Sequence, residues 1–179
     1  MKIRATLPGL VVLLLLGAED KPAALKEFTS AAAGFSVRVP GDMKETVKNV
    51  PSQDGKGGVR RTYICAPDPK VIYLVLQRDR PDLAKASPEA MNKALEEGSK
   101  SAEKALKGKL LGAAKKITLG KHPGREFQIE SKDGLYRSRV FVVDGRMYEV
   151  TILAPKEVAT SKAADEYLDS FKLVEKKEE

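Results

Sequence analysis

The chain has a single cysteine and a single histidine among 179 residues. One thiol, Cys65, cannot close an internal disulfide, so the domain has to be stabilised by its core. No cysteine stands near the amino terminus to carry a lipid. Cys65 and His122 are too few soft ligands for a zinc site. A cysteine nucleophile would have only His122 as its base, and Cys65 lies in the apolar run Thr62-Tyr63-Ile64-Cys65-Ala66, where a small buried hydrophobe is expected. His122, beside Pro123, reads as a surface turn residue. No apolar run approaches the roughly 20 residues that a membrane-spanning helix needs. Basic residues are not gathered with aromatics, which speaks against nucleic acid. Gly55-Lys56-Gly57-Gly58 lacks the spacing of a phosphate-binding loop and reads as a flexible loop. The carboxylate pairs Glu96-Glu97 and Asp165-Glu166 fall on helices, where solvation accounts for them. No catalytic centre, metal site or cofactor site is legible.

What is present is an ordinary globular composition, 42% hydrophobic and 32% charged. The amino terminus differs from the rest. Lys2 and Arg4 form a positive head, residues 7–16 an apolar run, and Gly17-Ala18 a small-residue end. That order is the pattern of a secretory leader over residues 1–18. Leu16 is large for its place before a cut at Ala18, so a retained anchor is the other reading of the same segment. Residues 19–27 then read as a linker, 28–174 as one domain and 175–179 as a disordered tail. The expected location is exported, periplasmic or extracellular. The formal charge is +7, and +5 once Lys2 and Arg4 are removed, which suits an anionic surface as a partner. Much of the charge is interleaved, as in Lys93, Glu96, Glu97, Lys100, Glu103 and Lys104, in the manner of a solvated helix face.

Phe35-Ser36-Val37-Arg38-Val39 alternates with the period of a half-buried strand. Residues 43–50 and 59–66 are further strands, and Val71-Ile72-Tyr73-Leu74-Val75-Leu76 reads as a central strand covered on both faces. A helix follows, capped by Ser87 with Pro88 at its first position and ended by Gly108. Its small residues Ala94, Gly98 and Ala105 suggest close approach to a sheet. Residues 109–119 read as one strand. Asp133-Gly134 and Asp144-Gly145 read as hairpin loops joining residues 125–131, 135–143 and 147–154 into a meander. A short helix starts at Ser161. With no repeated βαβ unit, the fold class is α+β with a mainly antiparallel sheet flanked by helices.

Arg137 and Arg139 share one face of a strand, beside Phe141. If that face is covered they must be paired or line an anion site, and structural pairing is the expectation. Taking Asp133-Gly134 as a two-residue loop places Glu130 opposite Arg137 and Gln128 opposite Arg139. The same rule at Asp144-Gly145 places Phe141 opposite Tyr148, Arg139 opposite Val150 and Arg137 opposite Ile152. The arginine face thereby gains apolar neighbours and calls for a helix over part of it, with the arginines near the rim.

Three segments carry a likeness to known proteins: Gly34-Phe35-Ser36-Val37-Arg38-Val39-Pro40-Gly41; Gly124-Arg125-Glu126-Phe127 with Tyr136-Arg137-Ser138-Arg139-Val140-Phe141; and Tyr167-Leu168-Asp169-Ser170-Phe171-Lys172-Leu173. Together they resemble a broad set of exported bacterial proteins of unknown function with a PsbP-like, Mog/PsbP-type α/β/α fold. The resemblance spans most of residues 28–174. It implies an antiparallel sheet flanked by helices and implies no catalytic residue; no photosynthetic role is carried over. The function expected is that of a non-catalytic binding or assembly protein of the cell envelope, partnered by an envelope protein or an anionic surface. A small extracytoplasmic hydrolase using Cys65 or a carboxylate pair, and a purely structural envelope protein, are the alternatives.

Overall fold

The computed structural model describes residues 24–51 and 57–174. The leader, the first residues of the linker, part of the 51–58 loop and the tail 175–179 lie outside the described residues. The chain forms β1 (Lys26–Ser30), β2 (Phe35–Val39), β3 (Lys44–Val50), β4 (Gly58–Asp68) and β5 (Val71–Asp79). A 3-10 turn at Pro81–Leu83 leads to α1 (Pro88–Leu106). Then come β6 (Lys109–Leu110), β7 (Lys115–Leu119), β8 (His122–Ser131), β9 (Gly134–Val143) and β10 (Arg146–Ala154). The chain closes with α2 (Lys156–Ala159), α3 (Lys162–Asp169) and β11 (Lys172–Leu173). β1 begins inside the segment expected to be linker.

The main sheet runs β3-β4-β5-β10-β9-β8-β6, with β7 also beside β8, and its strand pairs are antiparallel. A small sheet, β1-β2-β11, is separate. The fold class is the expected α+β. Asp144 and Gly145 both take positive φ, 45° and 77°, as a type I′ loop requires. The β9–β10 register follows as expected: Phe141 faces Tyr148, Arg139 faces Val150 and Arg137 faces Ile152.

The β8–β9 register differs from expectation by two residues. Gln128 stands opposite Arg137, Glu126 opposite Arg139, and Glu130 opposite Leu135. The loop is Lys132-Asp133, and neither residue has positive φ. Gly134 is instead a strand residue with φ 131°, where a Cβ would collide with the carbonyl of Ala154. The glycine is needed for that close approach to β10, not for the loop. A slip of two residues keeps every side chain on its face, so the apolar pattern alone could not detect it.

The main sheet separates two cores. On one face Phe35, Val37, Tyr63, Val75, Tyr148 and Ile152 pack with Tyr167, Leu168 and Phe171, under the small sheet, α2 and α3. Ser161 caps α3 by accepting a hydrogen bond from the Ala164 N–H. On the other face Phe127, Ile129, Val140, Val142 and Met147 pack with Leu95 of α1. Ser87 caps α1 as expected, but Lys107 (φ 49°), not Gly108, takes the left-handed position that ends it. A Cβ at Gly108 would stand 2.6 Å from the Glu130 carbonyl oxygen, so this glycine serves close packing on β8.

Helix α1 packs mainly on β6, β8 and β9 rather than on β4 and β5. Strand β5 is therefore not covered on both faces: Tyr73, Val75 and Gln77 are buried, while Ile72, Leu74 and Leu76 are only half-buried on the side that α1 leaves open. Residues 109–119 are not one strand either. They bend between Leu110 and Lys115, so that β6 and β7 pair with different stretches of β8.

Candidate functional site

The arginines singled out from the sequence are structural ties. Arg137 is buried; its Nη1 donates to the Ala159 carbonyl at 2.7 Å and its Nη2 lies 2.9 Å from Asp165. Arg139 donates from Nε to Glu126 at 2.7 Å and from Nη1 to Asp169 at 2.6 Å. Burial alone would lower the Arg139 pKa, but its bonds to Asp169 and Glu126 outweigh that and hold it above the ordinary value. These contacts clamp α2 and α3 to β9. Glu130 joins neither arginine; it is exposed and faces Lys109 of β6 on its other side.

Cys65 is buried, and burial pushes its thiol pKa up, away from the reactive thiolate. His122 is not a turn residue but the first residue of β8, paired with Leu119. Strands β5, β10 and β9 lie between β4 and β8, which separates the thiol from the imidazole by about 19 Å at ordinary strand spacing. Among the described residues no group of three or more His, Cys, Asp or Glu side chains is placed to hold a metal ion.

The arrangement that stands out is one the sequence did not single out. Where α1 stops short of the sheet, a groove of about 500 Å³ opens between helix and sheet. That size lies in the range of small-molecule sites. Its helix wall is Gly98, Ser101 and Ala105. Of the small residues expected to bring the helix close to the sheet, Ala94 is buried in the core, but Gly98 faces open space, where a Cβ would meet nothing within 4 Å. The floor is Leu76, Phe127, Val140 and Met147.

A polar network lies beside that floor. The Tyr136 hydroxyl donates to Glu149, Ser138 reaches the same carboxylate at 3.4 Å, and Thr151 donates to Ser138 at 2.9 Å. Burial and the adjoining Glu149 carboxylate push the Tyr136 pKa far above its ordinary value, so the phenol stays a donor.

Three arginines stand at the mouth: Arg60 on β4, Arg78 on β5 and Arg80 just after β5. Arg80 is held by Asp82 through Nε at 2.9 Å and Nη2 at 2.7 Å. Arg60 and Arg78 are directly opposite each other on the open face. Among the described residues the buried Nε atoms of both find no hydrogen-bond partner, as that of Arg137 does not, and Arg78 Nη2 meets the Met147 sulfur at 3.8 Å. Burial, then the charges of Arg80 and Arg60, lower the Arg78 pKa. Among the described residues no carboxylate lies in ion-pair range of either.

A further hollow of about 770 Å³, lined by Leu25, Pro67, Val71, Tyr73 and Val158, sits where the described chain begins. Its rim charges, Asp68, Lys70, Glu157 and Lys162, are of mixed sign.

No protein-family model matches the chain, and no curated protein does. Among solved structures it is similar to cyanobacterial PsbP (CyanoP) from Synechocystis, with a TM-score of 0.57 and 12% identity over 87% of this chain and 95% of that one. A Pseudomonas aeruginosa protein of unknown function, PA94, aligns at a TM-score of 0.34 and 12% identity, over 76% of this chain and 86% of that one. The first likeness places the chain in the class of α+β proteins with a PsbP-like fold. No helix among the described residues is long and apolar enough to cross a membrane.

Proposed function

We propose that the protein is an exported, non-catalytic binding or assembly protein of the cell envelope, and that it binds through the groove between α1 and the open part of the main sheet. The observation that carries this reading is the pair Arg60 and Arg78, opposite each other in the groove with no carboxylate in ion-pair range of either among the described residues. Unpaired guanidinium donors beside an apolar floor are the makings of a recognition site. The leader pattern of residues 1–18 and the basic balance beyond it support the exported location and an acidic partner. The inward-facing Cys65 and its distance from His122 leave thiol chemistry without a base.

The experiment is envelope fractionation of the native host with in-place crosslinking. Mature protein with a mass starting near Glu19, crosslinked through the groove and released by Arg60→Glu with Arg78→Glu, is the expected result. A protein that retains Met1 in the cytoplasm would overturn the exported location. Unchanged crosslinking by the double variant would overturn the groove.

A further inference from the structure

We infer that the mouth of the groove is an anion site whose ligand is a small organic anion, with one phosphate or carboxylate held between Arg60 and Arg78 and a compact apolar body against Leu76, Val140 and Phe127. This rests on the reading of the groove as the binding site and adds the ligand's chemistry.

The inference starts from the strands. Like charges directly opposite in an antiparallel pair destabilise it, and the two arginines occupy such positions. Five other arginines find carboxylates: Arg61 has Glu45, Arg80 has Asp82, Arg125 has Glu96, Arg137 has Asp165, and Arg139 has Glu126 and Asp169. Arg60 and Arg78 have none among the described residues; nor do Arg38 and Arg146, but of these four only Arg60 and Arg78 stand directly opposite one another in the sheet. An oxyanion between the two guanidinium groups of Arg60 and Arg78 would accept from their N–H groups and screen one from the other. The planar fork of guanidinium suits the paired oxygens of a carboxylate or phosphate.

The rest of the groove limits what such a ligand carries. Leu76, Val140 and Phe127 offer apolar contact. Glu149, already committed to Tyr136 and Ser138 and close enough to Arg78 to offset part of the fall that burial causes in its pKa, also lines the groove, as does Glu97 from α1. A second acidic group on the same ligand would meet these carboxylates. The geometry therefore favours one acidic head on an apolar body and disfavours polyanions.

Calorimetric titration of the purified protein with octyl phosphate, octanoate, inorganic phosphate and 1-octanol tests this without any envelope partner. Octyl phosphate and octanoate should bind at least about tenfold tighter than either inorganic phosphate or 1-octanol, and more weakly as salt rises. Arg60→Gln and Arg78→Gln should each lower octyl phosphate affinity by about tenfold, while Lys115→Gln with Lys116→Gln on β7 should not. Arg78→Lys, which keeps the charge and the stem but loses the fork, should still weaken binding, and it serves if a glutamine variant fails to fold. Equal affinity for octyl phosphate and 1-octanol would overturn the anion site. So would full affinity in the arginine variants, or binding to phosphatidylglycerol vesicles with none to octyl phosphate. Envelope crosslinking that depends on the arginines while octyl phosphate fails to bind would remove the small anion and leave the groove standing.

Discussion

Arg60 and Arg78 face each other across β4 and β5 because a bulge between Cys65 and Asp68 shifts the register of that hairpin. Asp68 pairs with Val71, yet Cys65 pairs with Tyr73. Without the shift, Arg61 would stand opposite Arg78. With it, Arg61 faces Gln77 and lies near Glu45, while Arg60 is left opposite a second unpaired arginine.

Removing one member of this pair should relieve repulsion. Arg60→Gln is expected to leave the fold unchanged and raise its stability by about 0.2–1 kcal/mol at low salt, the range for cross-strand pairs. Urea unfolding at two salt concentrations checks it. The gain should shrink at high salt; a loss of stability at low salt would show that Arg60 has a partner in the native protein.

Glycine substitutions should separate the groove wall from the packed sheet. Gly98→Ala lies mid-helix with nothing within 4 Å of the new Cβ, so stability should rise by about 0.5–1 kcal/mol. Gly124→Ala would put a Cβ 2.6 Å from the Val140 carbonyl oxygen and should cost about 1–3 kcal/mol. Thermal melts of the two variants should move in opposite directions.

Cys65 should be inert in the folded protein. A thiol reagent such as DTNB should label it only as the protein unfolds, since it is 2% exposed and its thiol pKa is raised by burial. Cys65→Ala should cost about 1–2 kcal/mol, as for a small core truncation. Rapid stoichiometric labelling of native protein would restore the hydrolase reading.

Alkaline pH should weaken the fold through its buried phenols. Burial, reinforced by the Glu45 carboxylate, pushes the Tyr63 pKa from 10.0 up to about 12. The unfolded chain releases that proton first, so the stability is full below pH 10 and is lost as pH climbs towards about 12. Tyr73, Tyr136 and Tyr167 are shifted the same way and steepen the fall. Unfolding free energy measured between pH 9 and 12 should decline continuously.

Arg137 should matter for the docking of α2 and α3. Arg137→Met keeps the buried stem but removes the donors to Ala159 and Asp165, and should cost about 1–3 kcal/mol. Amide exchange should quicken in α2 and α3 before it does in β9.

Much of the architecture is local and was legible in the residues themselves. Alternation marks β2; Ser87-Pro88 and Ser161 start helices wherever they stand; and Asp144-Gly145 sets its hairpin because both residues tolerate positive φ. These follow from one segment's own backbone and side chains. The β8–β9 register was misread because Asp133-Gly134 has the letters of a type I′ loop, while its glycine answers to a contact with Ala154, twenty residues further on. The groove and its arginines lay further out of reach. They depend on where α1 ends its coverage of the sheet and on a one-residue bulge that chooses Arg60 over Arg61. The chain by itself determined most of the strands and the two longer helices, that the sheet is mainly antiparallel, and that one thiol and one imidazole are too few for a soft-ligand metal site. Only the tertiary structure decided which charged groups meet, because the sense and register of each pairing are set by packing between segments distant in sequence, and a shift of one residue turns a side chain from one face of the sheet to the other.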